Sequence, residues 1–249
     1  MTDLVLPATF ALAALVYSAA GFGGGSAYLA IMALAGVATE RMPLLALLCN
    51  LVVVASGAWH FTRARQVQWS LLWPFLVGSV PMSLLGGRIH VGRAALSMLL
   101  GVSLAAAGGL LLRAEAASVE ASTLLLPKRS TSTLLGAGLG LLSGMIGIGG
   151  GVFLAPLLLH RRWAAPRQVA ALCSFFIFVN SLAGLWGQWL KNPAALHPDW
   201  MILVAAVFVG GQIGSQLGAR RLSQTRIRQL TGALVLVAGL QILARLVLS

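Results

Sequence analysis

Apolar residues in this chain come in long unbroken runs separated by short polar gaps. Eight runs can be drawn, over residues 5–36, 42–61, 69–87, 94–112, 134–159, 167–190, 200–219 and 229–247. Most are close to the ~20 residues that a helix needs to cross the ~30 Å hydrocarbon core of a bilayer. Inside lipid the backbone has to satisfy its own hydrogen bonds, so spanning segments are helices or strands of a closed barrel. Barrel strands alternate in polarity over about 10 residues. These runs do not alternate and are rich in Leu, Ala and Gly. The pattern predicts an all-α polytopic membrane protein with about eight apolar segments.

The first run is too long for one crossing. Its 32 residues would reach ~48 Å as a helix, at ~1.5 Å per residue. Gly21-Phe22-Gly23-Gly24-Gly25 divides it into parts of about 16 and 11 residues, too short to cross comfortably. Glycine is a poor helix former and permits positive φ. A broken or re-entrant helix with its tip at the glycines is the expectation.

The fifth run carries the same motif, Gly147-Ile148-Gly149-Gly150-Gly151, 126 positions later. Further matches follow in order. Leu48-Cys49-Asn50 pairs with Leu172-Cys173-Ser174, and Ser56 with Asn180, at an offset of 124. Ser83, Leu85, Gly86 and Arg88 pair with Ser215, Leu217, Gly218 and Arg220 at an offset of 132. Gly101 pairs with Gly232. The chain reads as one transmembrane domain built from two homologous repeats, 1–115 and 130–249. Internal repeats of this kind are typical of secondary transporters. The longest polar linker, Arg113 to Thr133, joins them.

Composition agrees with the class. Of 249 residues 59% are hydrophobic and 9% charged, against ~25% charged in soluble domains. The net charge is +12, and the bases sit in the gaps between runs, as loop anchors do. Nucleic acid is therefore not an expected partner; lipid is. If all eight runs crossed, the Lys and Arg residues would divide ten against seven between the two sides. If the first and fifth runs return to their own side, the division becomes twelve against five. The second arrangement obeys the positive-inside rule better, makes the repeats inverted and puts both termini outside. Met1-Thr2-Asp3 precedes the first run without a basic region, so no cleaved signal is expected.

The paired glycine motifs carry the strongest functional signal. Each precedes an apolar half-helix whose N-terminal amides and partial positive charge suit an anion without any cationic side chain. The backbone at Gly23, Gly24, Gly25 and Ser26, and at Gly149, Gly150 and Gly151, is the candidate substrate site. Close helix packing through small residues is the competing reading. It is preferred for the four-residue ladders Gly136, Gly140, Gly144 and Gly210, Gly214, Gly218. Polar positions in the second and sixth runs extend the candidate site. Cys49 and Ser56 share one helix face, as do Cys173 and Asn180, and Asn50 and Ser174 lie beside them. Asn50, Ser174 and Asn180 would supply neutral donors. Interhelical hydrogen bonding is an equal alternative for them, and Cys49 and Cys173 suit small-residue packing as well as a site. Ser83, Ser215, Gln188 and Gln212 are weaker candidates. Trp59, Trp69, Trp186, Trp189 and Trp200 read as interface belts.

Asp3, Glu40, Glu115, Glu120 and Asp199 all fall at or beyond run ends. No carboxylate sits in mid-membrane to relay protons or bind sodium, which favours an anionic or neutral substrate. His60, His90, His160 and His197 also lie at ends, and no metal-ligand cluster or Walker A motif is present. Neither cofactor nor metal is expected, and no catalytic set marks an enzyme.

These features resemble the sulfite exporter TauE/SafE family, also called the 4-toluene sulfonate uptake permeases. Carrying the resemblance are GFGGG at 21–25, GIGGG at 147–151 followed by Pro156, and the stretches Ala46 to Asn50 and Ala171 to Asn180. The resemblance covers nearly the whole chain. It implies secondary transport of sulfite, an organosulfonate or a related sulfur-containing oxyanion across the inner membrane. One departure is Ala30 where the second copy has Pro156. A passive anion channel and a non-catalytic assembly subunit remain alternatives. A homo-oligomer is compatible with the sequence.

Overall fold

The computed structural model describes residues 2–19, 21–37, 41–63, 65–113, 126–192, 200–220 and 224–248. Glu40, Glu115, Glu120, Asp199, His197 and most of the linker lie outside them. Among the described residues the chain forms ten α-helices and no strand. They are α1 (Thr2–Ala19), α2 (Gly25–Leu34), α3 (Met42–Arg63), α4 (Trp69–Arg88), α5 (Arg93–Arg113), α6 (Arg129–Ile146), α7 (Gly151–His160), α8 (Pro166–Lys191), α9 (Trp200–Arg220) and α10 (Gln224–Leu248). Stretches in α3, α4, α8 and α9 are long and apolar enough to cross a membrane. Shorter apolar stretches lie in α1, α5, α7 and α10.

Two helices start earlier than apolarity alone indicates. α6 begins at Arg129, inside the expected linker, and Thr133 Oγ1 donates to the Arg129 carbonyl at 3.0 Å within its polar first turn. α10 begins at Gln224, ahead of the run at 229. Trp200 is buried in the core cluster at the start of α9, not exposed at an interface belt. Its indole is covered by protein and so is not available to a headgroup layer. Trp59, Trp69, Trp186 and Trp189 are exposed, and the Arg63 guanidinium lies 5.7 Å from the Trp59 ring centre.

Glycine ladders set the packing. A Cβ on Gly136, Gly140 or Gly144 of α6 would strike the carbonyl of Phe75, Ser79 or Ser83 of α4. The backbones of these parallel helices therefore touch, in the small-residue packing expected of membrane helices. α1 and α9 repeat the arrangement, with Gly210 against Ala11 and Gly214 against Leu15. α5 and α10 run antiparallel, with Gly101 against Gly239 and Gly108 against Gly232. So do α3 and α8, where Gly57 faces Ser174 and Leu47 faces Gly184. α4 and α8 are parallel: Trp69 packs on Phe175 near one end, and Gly87 lies beside Gln188 at the other.

The ladder can be tested against its own helix. Gly138 has open space where its Cβ would be, whereas Gly140 meets the Ser79 backbone. Gly140→Leu is expected to destabilise by at least ~1–3 kcal/mol through overpacking, and Gly138→Leu to leave stability nearly unchanged. Thermal unfolding in detergent measures both.

Candidate functional site

Helical structure stops at the two glycine motifs. α1 ends at Ala19 and α2 starts at Gly25; α6 ends at Ile146 and α7 starts at Gly151. The N-caps Gly24 and Gly150 have φ of 87° and 79°, in the left-handed region. A Cβ costs ~1–2 kcal/mol there. Neither cap has a side-chain hydrogen bond. Among the described residues, the amides of Gly25, Ser26, Gly149, Gly150, Gly151 and Val152 find no acceptor. These are the orphan donors of a helix start, buried here away from water.

The two breaks meet. A Cβ on Gly25 would lie 3.0 Å from the Ile148 carbonyl oxygen and 2.5 Å from Asn50 Nδ2. Asn50, on α3, is wedged between them. Its Nδ2 donates to the Ile148 carbonyl at 3.0 Å, and a Cβ on Gly149 would lie 3.1 Å from it. Its Oδ1 is held against Gly23 and Gly25 and has no partner. Ser174, 124 positions after Asn50, makes the reciprocal contact from α8: its Oγ donates to the Gly21 carbonyl at 2.9 Å. Each break is thus tied by a side chain from the other half of the chain.

The remaining candidates lie around this junction. Gly150 packs against the Phe176 ring, and Gly151 against Ile177 and the Cys173 carbonyl. Asn180 Nδ2 donates to the Phe176 carbonyl one turn back at 2.9 Å, leaving its Oδ1 unpartnered. Cys49 and Cys173 are free, buried thiols within the hydrophobic core cluster. Ser26 Oγ is 3.1 Å from Tyr17 Oη. Ser83 Oγ donates to the Asn180 carbonyl at 2.9 Å. Gln188 is fully buried and donates to the Gly144 carbonyl at 2.8 Å, a packing role between α6 and α8. Ser56 is only half-buried, and Ser215 bonds within its own helix to the Gln212 carbonyl. Among the described residues no cluster of His, Cys, Asp or Glu could hold a metal.

Sequence reasoning missed Tyr17, Tyr28, Ser143 and Ser181. Ser181 Oγ lies 3.0 Å from where a Gly149 Cβ would be, Tyr28 Oη 2.7 Å from a Gly24 Cβ, and Ser143 Cβ 3.5 Å from a Gly150 Cβ. A signal was available: Tyr17 and Ser143 each precede a left-handed glycine by seven residues, and they stand 126 positions apart, as the two glycine motifs do.

An apolar helical bundle with interrupted helices and a neutral polar centre defines a polytopic membrane protein. Residues 6–242 match the sulfite exporter TauE/SafE family. The chain is 36% identical to the probable membrane transporter protein y4hK of Sinorhizobium fredii, over 96% of this chain and 97% of that protein. It is 28% identical to the probable membrane transporter protein MamO of Magnetospirillum gryphiswaldense, over 74% of this chain but 35% of the longer relative. A 26% match to the probable membrane transporter protein YunE of Bacillus subtilis covers 39% of this chain and 36% of that protein. No solved structure matches. The chain belongs to the sulfite exporter TauE/SafE family of membrane transporters.

The cross-half bonds carry a stability cost that can be read. Asn50→Ala strands the Ile148 carbonyl and Ser174→Ala strands the Gly21 carbonyl. Each is expected to cost ~1–3 kcal/mol, measured by thermal unfolding in detergent, while Ser174→Thr retains most of the stability.

Proposed function

We propose that the protein is a secondary transporter of a small sulfur-containing oxyanion, such as sulfite or an organosulfonate, with its site at the paired glycine breaks. The observation that carries this reading is the meeting of two acceptor-free helix N-termini at one neutral junction around Asn50. Buried amides at the positive ends of α2 and α7 favour an anion. Asn50, Ser174 and Asn180 add neutral polar groups, and Cys49 and Cys173 pack behind them. A site without a cationic side chain binds an anion without holding it too tightly for release.

The packing supports two inverted repeats. Pairing α1–α5 with α6–α10 in order, the α1–α9 contact corresponds to the α6–α4 contact. The equivalent pairs α3/α8 and α5/α10 each run antiparallel, as an axis in the membrane plane requires. α4 is parallel to both α6 and α8, so α6 and α8 share a direction and α7 turns back between them. This supports re-entrant hairpins at the glycines and both termini on one side, which the distribution of Lys and Arg puts outside, and it suits alternating access by rocking of the repeats. In a cell that is negative inside, the membrane potential drives export of a monoanion with ~2.3 kcal/mol per 100 mV.

Proteoliposomes containing the protein should take up labelled sulfite or a sulfonate saturably and show counterflow. Uptake equal to that of empty liposomes across a panel of sulfur oxyanions and sulfonates would remove the substrate assignment. Gly24→Ala and Gly150→Ala, in versions that remain folded, are expected to lose most of the flux. Normal flux in both would move the site away from the glycines.

A further inference from the structure

Both of the chain's tyrosines stand at the first glycine break. Tyr28 is completely buried, and its hydroxyl has no hydrogen-bond partner. Its ring is fixed by stacking on Phe10 of α1, with centroids 5.0 Å apart and planes at 18°. Helical side chains lean toward the N-terminus, so Tyr28 reaches back one turn. Its Oη comes to 2.7 Å from where a Cβ of Gly24 would be, at the start of α2. A buried hydroxyl without a partner in a low-dielectric interior needs a reason, and packing does not supply one, because a phenylalanine ring would stack equally well.

Tyr17 stands beside it. The Tyr17 and Ser26 hydroxyls are 3.1 Å apart and share one hydrogen bond. Two hydroxyls carry two protons, so whichever donates to the other, the pair keeps one proton to give elsewhere. At the second break the corresponding positions hold Ser143, Val152 and Leu154. The first break therefore has two phenols and a serine, where the second has two serines, Ser143 beside Gly150 and Ser181 beside Gly149.

We infer that Tyr28 and the Tyr17–Ser26 pair are substrate-orienting donors that make the anion site lopsided, with the first break as its tighter half. The inference rests on the anion-carrier reading. A phenol hydroxyl donates strongly and stays neutral, so Tyr28 gives one directional bond to an oxyanion oxygen while the free amides of Gly25 and Ser26 take the others. The Tyr17–Ser26 pair bonds a further oxygen. An anion with three oxygens at one centre, as in sulfite or a sulfonate group, can use all of these donors; a halide cannot.

The test compares Tyr28→Phe and Tyr17→Phe with the unaltered protein in proteoliposome flux of sulfite and methanesulfonate, with thermal unfolding measured alongside. Tyr28→Phe removes only an unpartnered hydroxyl. It should leave the melting temperature unchanged or raised while KM rises about ten- to a hundredfold, the range for one hydrogen bond to a charged group. Tyr17→Phe should also raise KM. An unchanged KM in both variants, with flux still lost in folded Gly24→Ala, would overturn the role of the tyrosines and leave the carrier reading standing. A lower melting temperature with unchanged KM would make the tyrosines structural. If the unaltered protein carries neither anion, the inference and the reading beneath it fall together.

Discussion

A helix that stops inside an apolar bundle leaves carbonyls and amides with nothing to bond, and the architecture turns on how this chain meets that constraint. Lipid cannot pair these groups. At Gly21 and Ile148 the exposed carbonyls are met by Ser174 and Asn50, each from the opposite half of the chain. The halves are thus joined at their most irregular points. Those two carbonyls are met this way, whereas the carbonyls of Phe22, Gly23, Gly147 and Gly149 and the amides at the starts of α2 and α7 find no partner among the described residues. The junction therefore holds the free amides of two helix starts and the unpartnered Oδ1 atoms of Asn50 and Asn180, with no cationic side chain among those that line it.

The glycine ladders allow this junction to exist. Backbone contact between α4 and α6, and between α1 and α9, brings the first arm of each interrupted segment against a long helix of the other half. Antiparallel contact of α3 with α8 then sets Asn50 and Ser174 on opposite sides of the centre. Asn50 reaches both breaks because Gly23, Gly25 and Gly149 have no side chains in its way. In a bundle so poor in charge, small residues and single neutral hydrogen bonds define the register.

Much of this was legible in the sequence, for a physical reason. Lipid demands long apolar runs, and those runs marked nearly every helix. The overlong first run and its glycines marked where helical structure stops. The ladders at Gly136 and Gly210 carried their packing role in their spacing. What the sequence did not carry was partner choice. Nothing local to Asn50 says that it bonds Ile148, or that Gln188 reaches the Gly144 carbonyl, because both contacts join distant segments. Trp200 had the position of an interface residue, but neighbouring helices cover it. Tyr17 and Tyr28 looked like part of an apolar segment, and only the three-dimensional arrangement placed their hydroxyls at the break.

A structure determined with sulfite or methanesulfonate bound tests the central claim most directly. Anion density is expected within hydrogen-bond distance of the amides at Gly25–Ser26 or Gly151–Val152, with the Asn50 side chain drawn off the Ile148 carbonyl. Density lodged elsewhere in the bundle, with both breaks and Asn50 unmoved, would contradict it.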